Sequence, residues 1–252
     1  MRILLTNDDG VFAPGLAALE SQLRHLGEVD VVAPAVEQSG VGHSITFLSP
    51  LVCKEIFRDD KRWAWAVEGS PADCVKLAIG ELMSKPPDLV VSGINNGLNA
   101  GINVLYSGTV AAAIEGAFFG ITSIAVSLEY DPHNDFVAAA VIARNLIEQI
   151  IRGSDRPGRL YNINIPQIAT TRSSEVHVVP MGLSHYGSRY IRRQDPKGRD
   201  YYWSAPEVAP ETAEQKSDLT SLYGGYVTVT PLHFNLTESS HLSEMESWGL
   251  KS

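Results

Sequence analysis

Short apolar segments alternate with longer segments of helical periodicity through the first two-thirds of the chain. The runs Arg2–Thr6 and Asp88–Ser92 have the length and composition of buried strands. Between them, a helix is predicted from Pro14, which suits a first helical turn, to Leu26, just before Gly27. This alternation predicts βαβ units around a parallel sheet.

An antiparallel insertion interrupts this alternation. Ser44–Phe57 and Trp63–Glu68 are rich in β-branched and aromatic residues, and the polar residues 58–61 between them predict a hairpin loop. The other predicted elements are the strands Asp30–Ala33, Ile121–Leu128 and Tyr161–Ile165 and the helices Ser70 to Ser84, Ser107 to Phe119 and Asn134 to Arg152.

The pattern weakens after Ile165, where prolines separate short strand-like pieces such as Val176–Pro180 and Tyr226–Thr230. This tail is interpreted as hairpins and an extended arm, not as a second α/β core. The chain is therefore predicted to form a single α/β domain over residues 1–252, with a core over about 1–165 and the C-terminal hairpins and arm over about 166–252.

The amino-acid composition and net charge limit the classes of ligand that the chain can bind. The chain is 44% hydrophobic, so it can bury a normal core, and its formal net charge is −9. Such a charge argues against binding duplex nucleic acid, which requires clustered Lys and Arg. A small anionic substrate remains compatible, because a bound metal ion can reverse the local field.

Cysteine usage and hydropathy bear on location. Cys53 and Cys74 have no metal-binding or redox spacing, which fits a reducing cytoplasm. The apolar stretch Ile3–Leu5 is too short for a signal peptide. The most membrane-like stretch, Val110–Leu128, contains Glu115 and divides into a helix and a strand. A cytoplasmic protein without a membrane segment is expected.

Four polar loops follow predicted strands or precede a helix, where ligands bind in doubly wound sheets. These loops are Asn7-Asp8-Asp9-Gly10, Glu37-Gln38-Ser39-Gly40, Ser92-Gly93-Ile94-Asn95-Asn96-Gly97 and Tyr106-Ser107-Gly108-Thr109.

The adjacent carboxylates of Asp8 and Asp9 suggest a metal site, because two ionised neighbours repel each other unless they share a cation. The Ser39 hydroxyl and the Asn95 amide would add oxygen donors, which suit Mg²⁺ or Mn²⁺ better than zinc. Considered alone, Asp8-Asp9-Gly10 fits an ordinary turn better than a metal site, because Asp and Gly dominate turns for conformational reasons.

The segment Ser107-Gly108-Thr109 has the character of a helix N-terminus whose free amides can receive a phosphate. Helix capping alone would also favour a serine there. The sequence contains no Gly-x-Ser-x-Gly elbow, no Walker-type Gly-Lys-Ser/Thr segment and no histidine pair at metal spacing. Serine hydrolases and P-loop NTPases are therefore disfavoured.

Taken together and in order, these motifs resemble the survival protein E (SurE) family of metal-dependent 5′-nucleotidases. The resemblance is carried by the four loops above, by Gly69-Ser70-Pro71-Ala72-Asp73-Cys74 and by the run from Val110 to Ala113. It is strong over residues 1 to about 130 and looser to Leu232. The chain departs from the family at Ala35, where an acidic residue is frequent, and over 182–221.

The resemblance implies a Rossmann-like, mostly parallel sheet flanked by helices, and a homodimer or homotetramer with an exchanged C-terminal arm. It implies one divalent metal ion per subunit, Mg²⁺ or Mn²⁺, held by residues matching Asp8, Asp9, Ser39 and Asn95. Asp8 and Asp9 are the candidate catalytic residues. The candidate phosphate- or substrate-binding residues are Asn7, Gly40, Asn96, Ser107, Gly108 and Thr109.

The predicted activity is hydrolysis of nucleoside 5′-monophosphates, and the sequence leaves open whether 3′-monophosphates or polyphosphate are also cleaved. Two alternatives are a nucleotide-binding regulatory module without turnover and a metal-dependent glycosyltransferase. Tyr186, Arg189, Arg192 and Arg193 either bring positive charge toward the substrate or form a solvated basic loop.

Overall fold

The structure is a computed structural model that describes residues 1–153, 157–183, 189–205 and 216–251. The strands within these residues are β1 Arg2–Thr6, β2 Glu28–Pro34, β3 Cys53–Arg58, β4 Lys61–Val67, β5 Leu89–Asn96, β6 Thr122–Leu128, β7 Leu160–Ile165, β8 Val176–Val178, β9 Tyr190–Gln194, β10 Asp200–Ser204 and β11 Val227–Leu232. The helices are α1 Pro14–Leu23, α2 Pro71–Leu77, α3 Gly108–Phe118, α4 Phe136–Gly153, α5 Asp218–Tyr223 and α6 Ser239–Ser247.

Among the described residues, nine strands form one mixed sheet in the spatial order β3-β4-β2-β1-β5-β6-β7-β11-β8. Strands β4, β2, β1, β5, β6 and β7 are mutually parallel, and β8 is parallel to β11. The hairpin strand β3 and the late strand β11 run antiparallel to their neighbours β4 and β7. The predicted α/β class, with its mostly parallel sheet and hairpin insertion, is confirmed.

Helices cover both faces of the sheet, which explains why the central strands are apolar throughout. In β1, Ile3 and Leu5 pack on the side of α1 and α4, whereas Leu4 packs with residues of α2 on the other side. All three side chains are fully buried. Burial of each contributes about 1.5–3 kcal/mol relative to an exposed side chain.

Several predicted elements differ from the structure in extent. Strand β5 runs to Asn96, so Asn95 and Asn96 belong to the strand and not to the loop predicted after Ser92. The strand predicted over Ser44–Phe57 begins only at Cys53. Before it, the Thr46 amide donates a hydrogen bond to the Asp73 side chain and not to a neighbouring strand. The helix predicted from Ser70 to Ser84 is α2 followed by a π-helical turn at Ala78–Leu82. Its predicted N-terminus is confirmed by a reciprocal capping box between Ser70 and Asp73.

The C-terminal part combines a hairpin, which the interpretation of the tail includes without placing it, with two helices that the sequence pattern does not predict. Strands β9 and β10 form a separate antiparallel hairpin, and α5 and α6 are short helices. Arg192 lies in this hairpin and pairs with Asp200 across it, whereas Tyr186 lies outside the described residues. Over the described ranges, no helix is both long and apolar enough to cross a membrane.

Candidate active site at the carboxyl ends of the strands

The order of the strands creates a crevice beside β1. From β1 the chain moves to β2 on one side and later returns to β5 on the other side of β1. Loops leaving two such strands diverge, and ligands of open α/β sheets bind at this point. A cavity of about 440 Å³ lies there. The predicted site residues that line it are Asp8, Asp9, Ser39, Gly40, Asn95, Asn96 and Ser107.

Asp8 is held in place by the first turn of α3. Its carboxylate accepts hydrogen bonds from both the Thr109 amide, at 3.0 Å, and the Thr109 hydroxyl. A Cβ atom at Gly108 would lie 2.9 Å from the Asp8 Cβ, closer than carbon atoms normally approach. Glycine at this position therefore allows the helix to reach Asp8.

Three predicted phosphate-binding residues do not line the cavity. Gly108 and Thr109 lie against Asp8, and both hydrogen-bond donors of Thr109 are used by that carboxylate. The Asn7 side-chain amide donates to the Gly10 carbonyl oxygen at 2.9 Å and braces the turn that carries Asp8. In the structure these residues support Asp8 instead of facing the cavity, because the helix start points its donors at the carboxylate.

Asp9 lies in surroundings that disfavour its charge. Burial, followed by the charge of Asp8, raises its pKa from 3.8 to about 6, although the Asn96 amide donates a hydrogen bond to it. Burial also raises the pKa of Asp8, against the effect of its hydrogen bonds from Thr109. A cation between the two carboxylates would remove this penalty.

The remaining predicted metal ligands supply neutral oxygens. The Asn95 side-chain amide donates to the Gly97 carbonyl oxygen at 2.7 Å, which makes its Oδ1 atom the one available to a ligand. The Ser39 hydroxyl donates to Glu37 at 2.7 Å. Within the described parts of the chain, no three His, Cys, Asp or Glu side chains form a metal-binding group. Two carboxylates with hydroxyl and amide oxygens fit Mg²⁺ or Mn²⁺.

The cavity has a negative fixed charge. Glu37 lines it beside Asp8 and Asp9, and its charge raises the pKa of both after the effect of burial. No Lys, Arg or His side chain of the described residues lines this cavity. An anionic ligand therefore requires an added cation, helped only by backbone amides and neutral donors.

Several cavity residues were not singled out from the sequence. Glu37 and Tyr106 lie within two of the predicted loops, yet their own side chains were given no role. Tyr130 was missed altogether, although it follows β6 as the other site residues follow their strands. Asn99 and Asn103 also line the cavity and lie between β5 and α3.

A buried asparagine cluster fixes the loop after β5. Asn164 accepts a hydrogen bond from the Asn99 amide, and the Asn162 and Asn164 side chains both donate to the Asn99 carbonyl oxygen. The Asn99 side chain donates to Ser127 on β6. The signal for this cluster in the sequence is the alternation of asparagines with apolar residues in Tyr161–Ile165, which places polar side chains on one buried face.

The family model for Survival protein SurE matches residues 3–188 of the chain. The chain belongs to the SurE family. All the residues that line the cavity lie inside the matched range, so the crevice beside β1 is part of the SurE homology region.

SurE relatives match the chain over nearly its whole length. A protein of Rhodopirellula baltica named 5′-nucleotidase SurE is 68% identical over 252 residues and is covered completely, as is this chain. Another 5′-nucleotidase SurE, from Heliobacterium modesticaldum, is 43% identical over 98% of this chain and 92% of its own length. A crystal structure of the SurE protein from Aquifex aeolicus superposes with a TM-score of 0.86 at 38% identity, covering 99% of this chain and all of that one.

Proposed function

We propose that the chain is a metal-dependent 5′-nucleotidase that hydrolyses nucleoside 5′-monophosphates to a nucleoside and phosphate. The observation that carries this proposal is the composition of the cavity: three carboxylates with neutral oxygen donors, and no basic side chain among the described lining residues. Similarity to relatives named 5′-nucleotidase SurE supports the substrate class.

In the proposed mechanism, Asp8, Asp9, Ser39 and Asn95 hold one Mg²⁺ or Mn²⁺ ion. When bound, such an ion would neutralise charge on the phosphoryl group and would favour ionisation of the attacking water. Thr109 keeps the Asp8 carboxylate oriented, because it donates one hydrogen bond to each carboxylate oxygen. Asp8 or Asp9 would accept the proton of the water that attacks phosphorus. The bond from phosphorus to the nucleoside 5′-oxygen would then break, and that oxygen would take up a proton from solvent.

Neutral donors would hold the phosphate oxygens that remain. Ser107 lies at the N-cap of α3, where its Oγ atom accepts a hydrogen bond from the Val110 amide and its hydroxyl hydrogen is left to donate into the cavity. The helix dipole adds partial positive charge at the same point. Gly40 and Asn96 also border the cavity. Gly40 offers its backbone amide and Asn96 its side-chain amide, because the Asn96 backbone amide already donates to Asp9.

Two exposed aromatic rings suit a nucleoside. Tyr106 and Tyr130 line the cavity, and they are 60% and 66% exposed. Bases stack on such rings with little dependence on sequence, because every base has an aromatic face. These rings favour a nucleotide over a small phosphomonoester without a base.

The test is phosphate release from a panel of nucleoside 5′-monophosphates, 3′-monophosphates and polyphosphate, with Mn²⁺, with Mg²⁺ and with a chelator. We expect metal-dependent release that falls by about 100-fold or more in Asp8→Asn, because this change removes a charged ligand. Asp59→Asn is the matched control, since Asp59 lies in the turn between β3 and β4, away from the cavity. Nucleotide binding without release would favour the regulatory module.

Self-association and a cytoplasmic location are also proposed. The apolar side chains Leu242, Met245 and Trp248 of the α6 region are exposed, and α6 buries none of its residues. An apolar stripe of this kind is normally covered by another surface. A second copy of the chain, in a homodimer or homotetramer, is the proposed partner. The cytoplasmic location rests on cysteine usage.

A further inference from the structure

A buried carboxylate lies behind the candidate site in the middle of α3. Glu115 is 4% exposed, and its two oxygens contact different partners, His43 Nε2 at 2.8 Å and Lys76 Nζ at 3.2 Å. Burying a carboxylate is costly unless it is paired and hydrogen-bonded. None of these three side chains lines the candidate site, so the mechanism above leaves the cluster without a role.

Glu115 connects two segments that carry site residues. It belongs to α3, whose first turn holds Asp8 through Thr109 and carries Ser107 at its start. His43 belongs to the loop between β2 and β3 and follows Ser39 by four residues. The Glu115–His43 contact therefore ties the loop that bears Ser39 to the helix that fixes Asp8.

The loop has other attachments on either side of the residues that border the cavity. Directly after His43, the Ser44 carbonyl oxygen accepts a hydrogen bond from the Ser70 hydroxyl at 2.7 Å. The Gln38 amide donates to the Asp8 carbonyl oxygen at 2.7 Å, and the Gly42 amide donates to the Tyr106 carbonyl oxygen at 3.0 Å. Between these two points, the Ser39 hydroxyl bonds only within the loop, to Glu37. Gly40 has a positive φ of 72° and nothing near the position of a Cβ. The residues at the cavity depend on anchors at both ends of this span.

The His43 anchor is reinforced on two sides. Its ring stacks on Phe118 of the same helix, with centroids 5.4 Å apart and an angle of 21° between the planes. Burial raises the pKa of Glu115, but hydrogen bonds from His43 and Lys76 and the charges of both outweigh this effect and lower it overall. The carboxylate therefore stays ionised and accepts a hydrogen bond from His43.

We propose that His43 and Glu115 are positioning residues that hold the Ser39–Gly40 loop against the metal and phosphate site. The effect of the two residues on catalysis rests on the proposed function. Their effects on metal binding and on the order of the loop can be measured without any turnover of substrate. Glu115 and His43 do not line the candidate site, so they act on it only through the position of the loop. Their loss is therefore expected to weaken binding of metal and substrate and to leave the chemical step nearly unchanged.

The first test compares wild type with His43→Ala by hydrogen–deuterium exchange without metal and by calorimetric titration with Mn²⁺ alone. We expect faster exchange confined to residues 38–44 and an approximately tenfold weaker Mn²⁺ affinity, the size expected from losing a hydrogen bond to a charged group. His43→Gln, which keeps an N–H donor, should recover part of the affinity. Wild-type exchange and Mn²⁺ affinity in His43→Ala would overturn the inference.

The second test separates positioning from general destabilisation. Trp63→Phe is the matched control, because it removes a 2.7 Å hydrogen bond to another buried carboxylate, Glu20, near the start of β4 at the far end of the sheet. For a nucleoside monophosphate, His43→Ala should raise KM about tenfold with kcat changed less than about threefold. Trp63→Phe should change neither, and an equal rise of KM in both variants would contradict positioning.

A double-mutant cycle closes the test. If the two residues act as one unit, His43→Ala combined with Glu115→Ala weakens Mn²⁺ binding no more than either change alone. Additive losses would contradict the proposed pair. Should Glu115→Ala fail to fold, His43→Ala and His43→Gln still decide the question. If wild type binds Mn²⁺ but releases no phosphate, the proposed function is wrong. The binding and exchange measurements would still test whether His43 and Glu115 position the loop.

Discussion

Asp8 and Asp9 are adjacent in sequence but differ in how the fold supports them. Thr109 gives Asp8 two hydrogen bonds, whereas Asp9 has one from the Asn96 amide and faces the charge of Asp8. Asp9 therefore carries a clear electrostatic penalty when it is ionised, and its pKa of about 6 expresses that penalty.

This penalty predicts a pH dependence of metal-free stability. The unfolded chain ionises Asp9 near its ordinary pKa of 3.8 and the folded chain near 6, so this residue's contribution to stability is present below about pH 4 and is lost as the pH rises through about 6. Compared with Asp9→Asn, wild type should lose thermal stability between these pH values in chelator. Equal pH profiles of the two melting temperatures would contradict the prediction.

Strand β1 and helix α3 meet at a point where there is no room for a side chain. Gly108 lies against Asp8 and also against Pro71 at the start of α2. The geometry of the candidate site thus depends on how closely two helix starts approach the end of one strand. A shift of this contact would displace Asp8, Thr109 and Ser107 together.

Gly108→Ala should separate these elements. The added methyl group would lie within 3.0 Å of Asp8 and Pro71, so we expect a stability loss of about 1–3 kcal/mol. Because Asp8 is displaced, Mn²⁺ affinity should also fall by about tenfold or more. Denaturant unfolding and calorimetry measure the two effects. Gly153→Ala, at the end of α4 with open space around it, should leave the affinity unchanged.

Helices and strands that are stabilised by their own sequence can be predicted from it, whereas those that depend on distant contacts cannot. The parallel strands have continuous apolar runs and α2 has its own capping box, so both could be identified without the fold. The hairpin β9–β10 is exposed along its whole length, and α6 buries no residue. Neither has the periodic burial on which sequence patterns depend.

The same limit applies to the candidate site. The loops after strands indicated Asp8, Asp9, Ser39 and Asn95, and the structure brings all four to one cavity, although their role as ligands stays a prediction. The sequence could not show that Thr109 would turn both donors toward Asp8, because that depends on the close approach at Gly108. The contact between His43 and Glu115 could not be predicted from sequence spacing either, because the two residues are 72 positions apart.

At the scale of the whole molecule, apolar and aromatic side chains are exposed at several places in the described chain, and the C-terminal part is one of them. Besides the stripe on α6, the hairpin β9–β10 exposes Tyr202 and Trp203. Monomeric proteins rarely leave such groups uncovered together. This distribution supports the proposed self-association, in which the tail beyond β11 contacts another copy.

Replacing Leu242, Met245 and Trp248 with glutamine should reduce the molecular mass in solution, because the apolar stripe that would bury against a second copy is lost. Light scattering coupled to size exclusion measures the mass. Glu244→Gln with Glu246→Gln on the same helix is the control and should keep the wild-type mass. An unchanged mass in the triple variant would argue against α6 as the contact.

The negative cavity also has a consequence for how ion and nucleotide depend on each other. Three carboxylates without a basic partner among the described lining residues repel a phosphate. Under the proposed function, nucleotide and divalent ion would therefore bind in a thermodynamically linked manner, each tightening the binding of the other by the same factor. The affinity of the protein for nucleotides is then not a constant. It is set by the free concentration of the ion, and a metal-depleted protein leaves the nucleotide pool of the cell unbound.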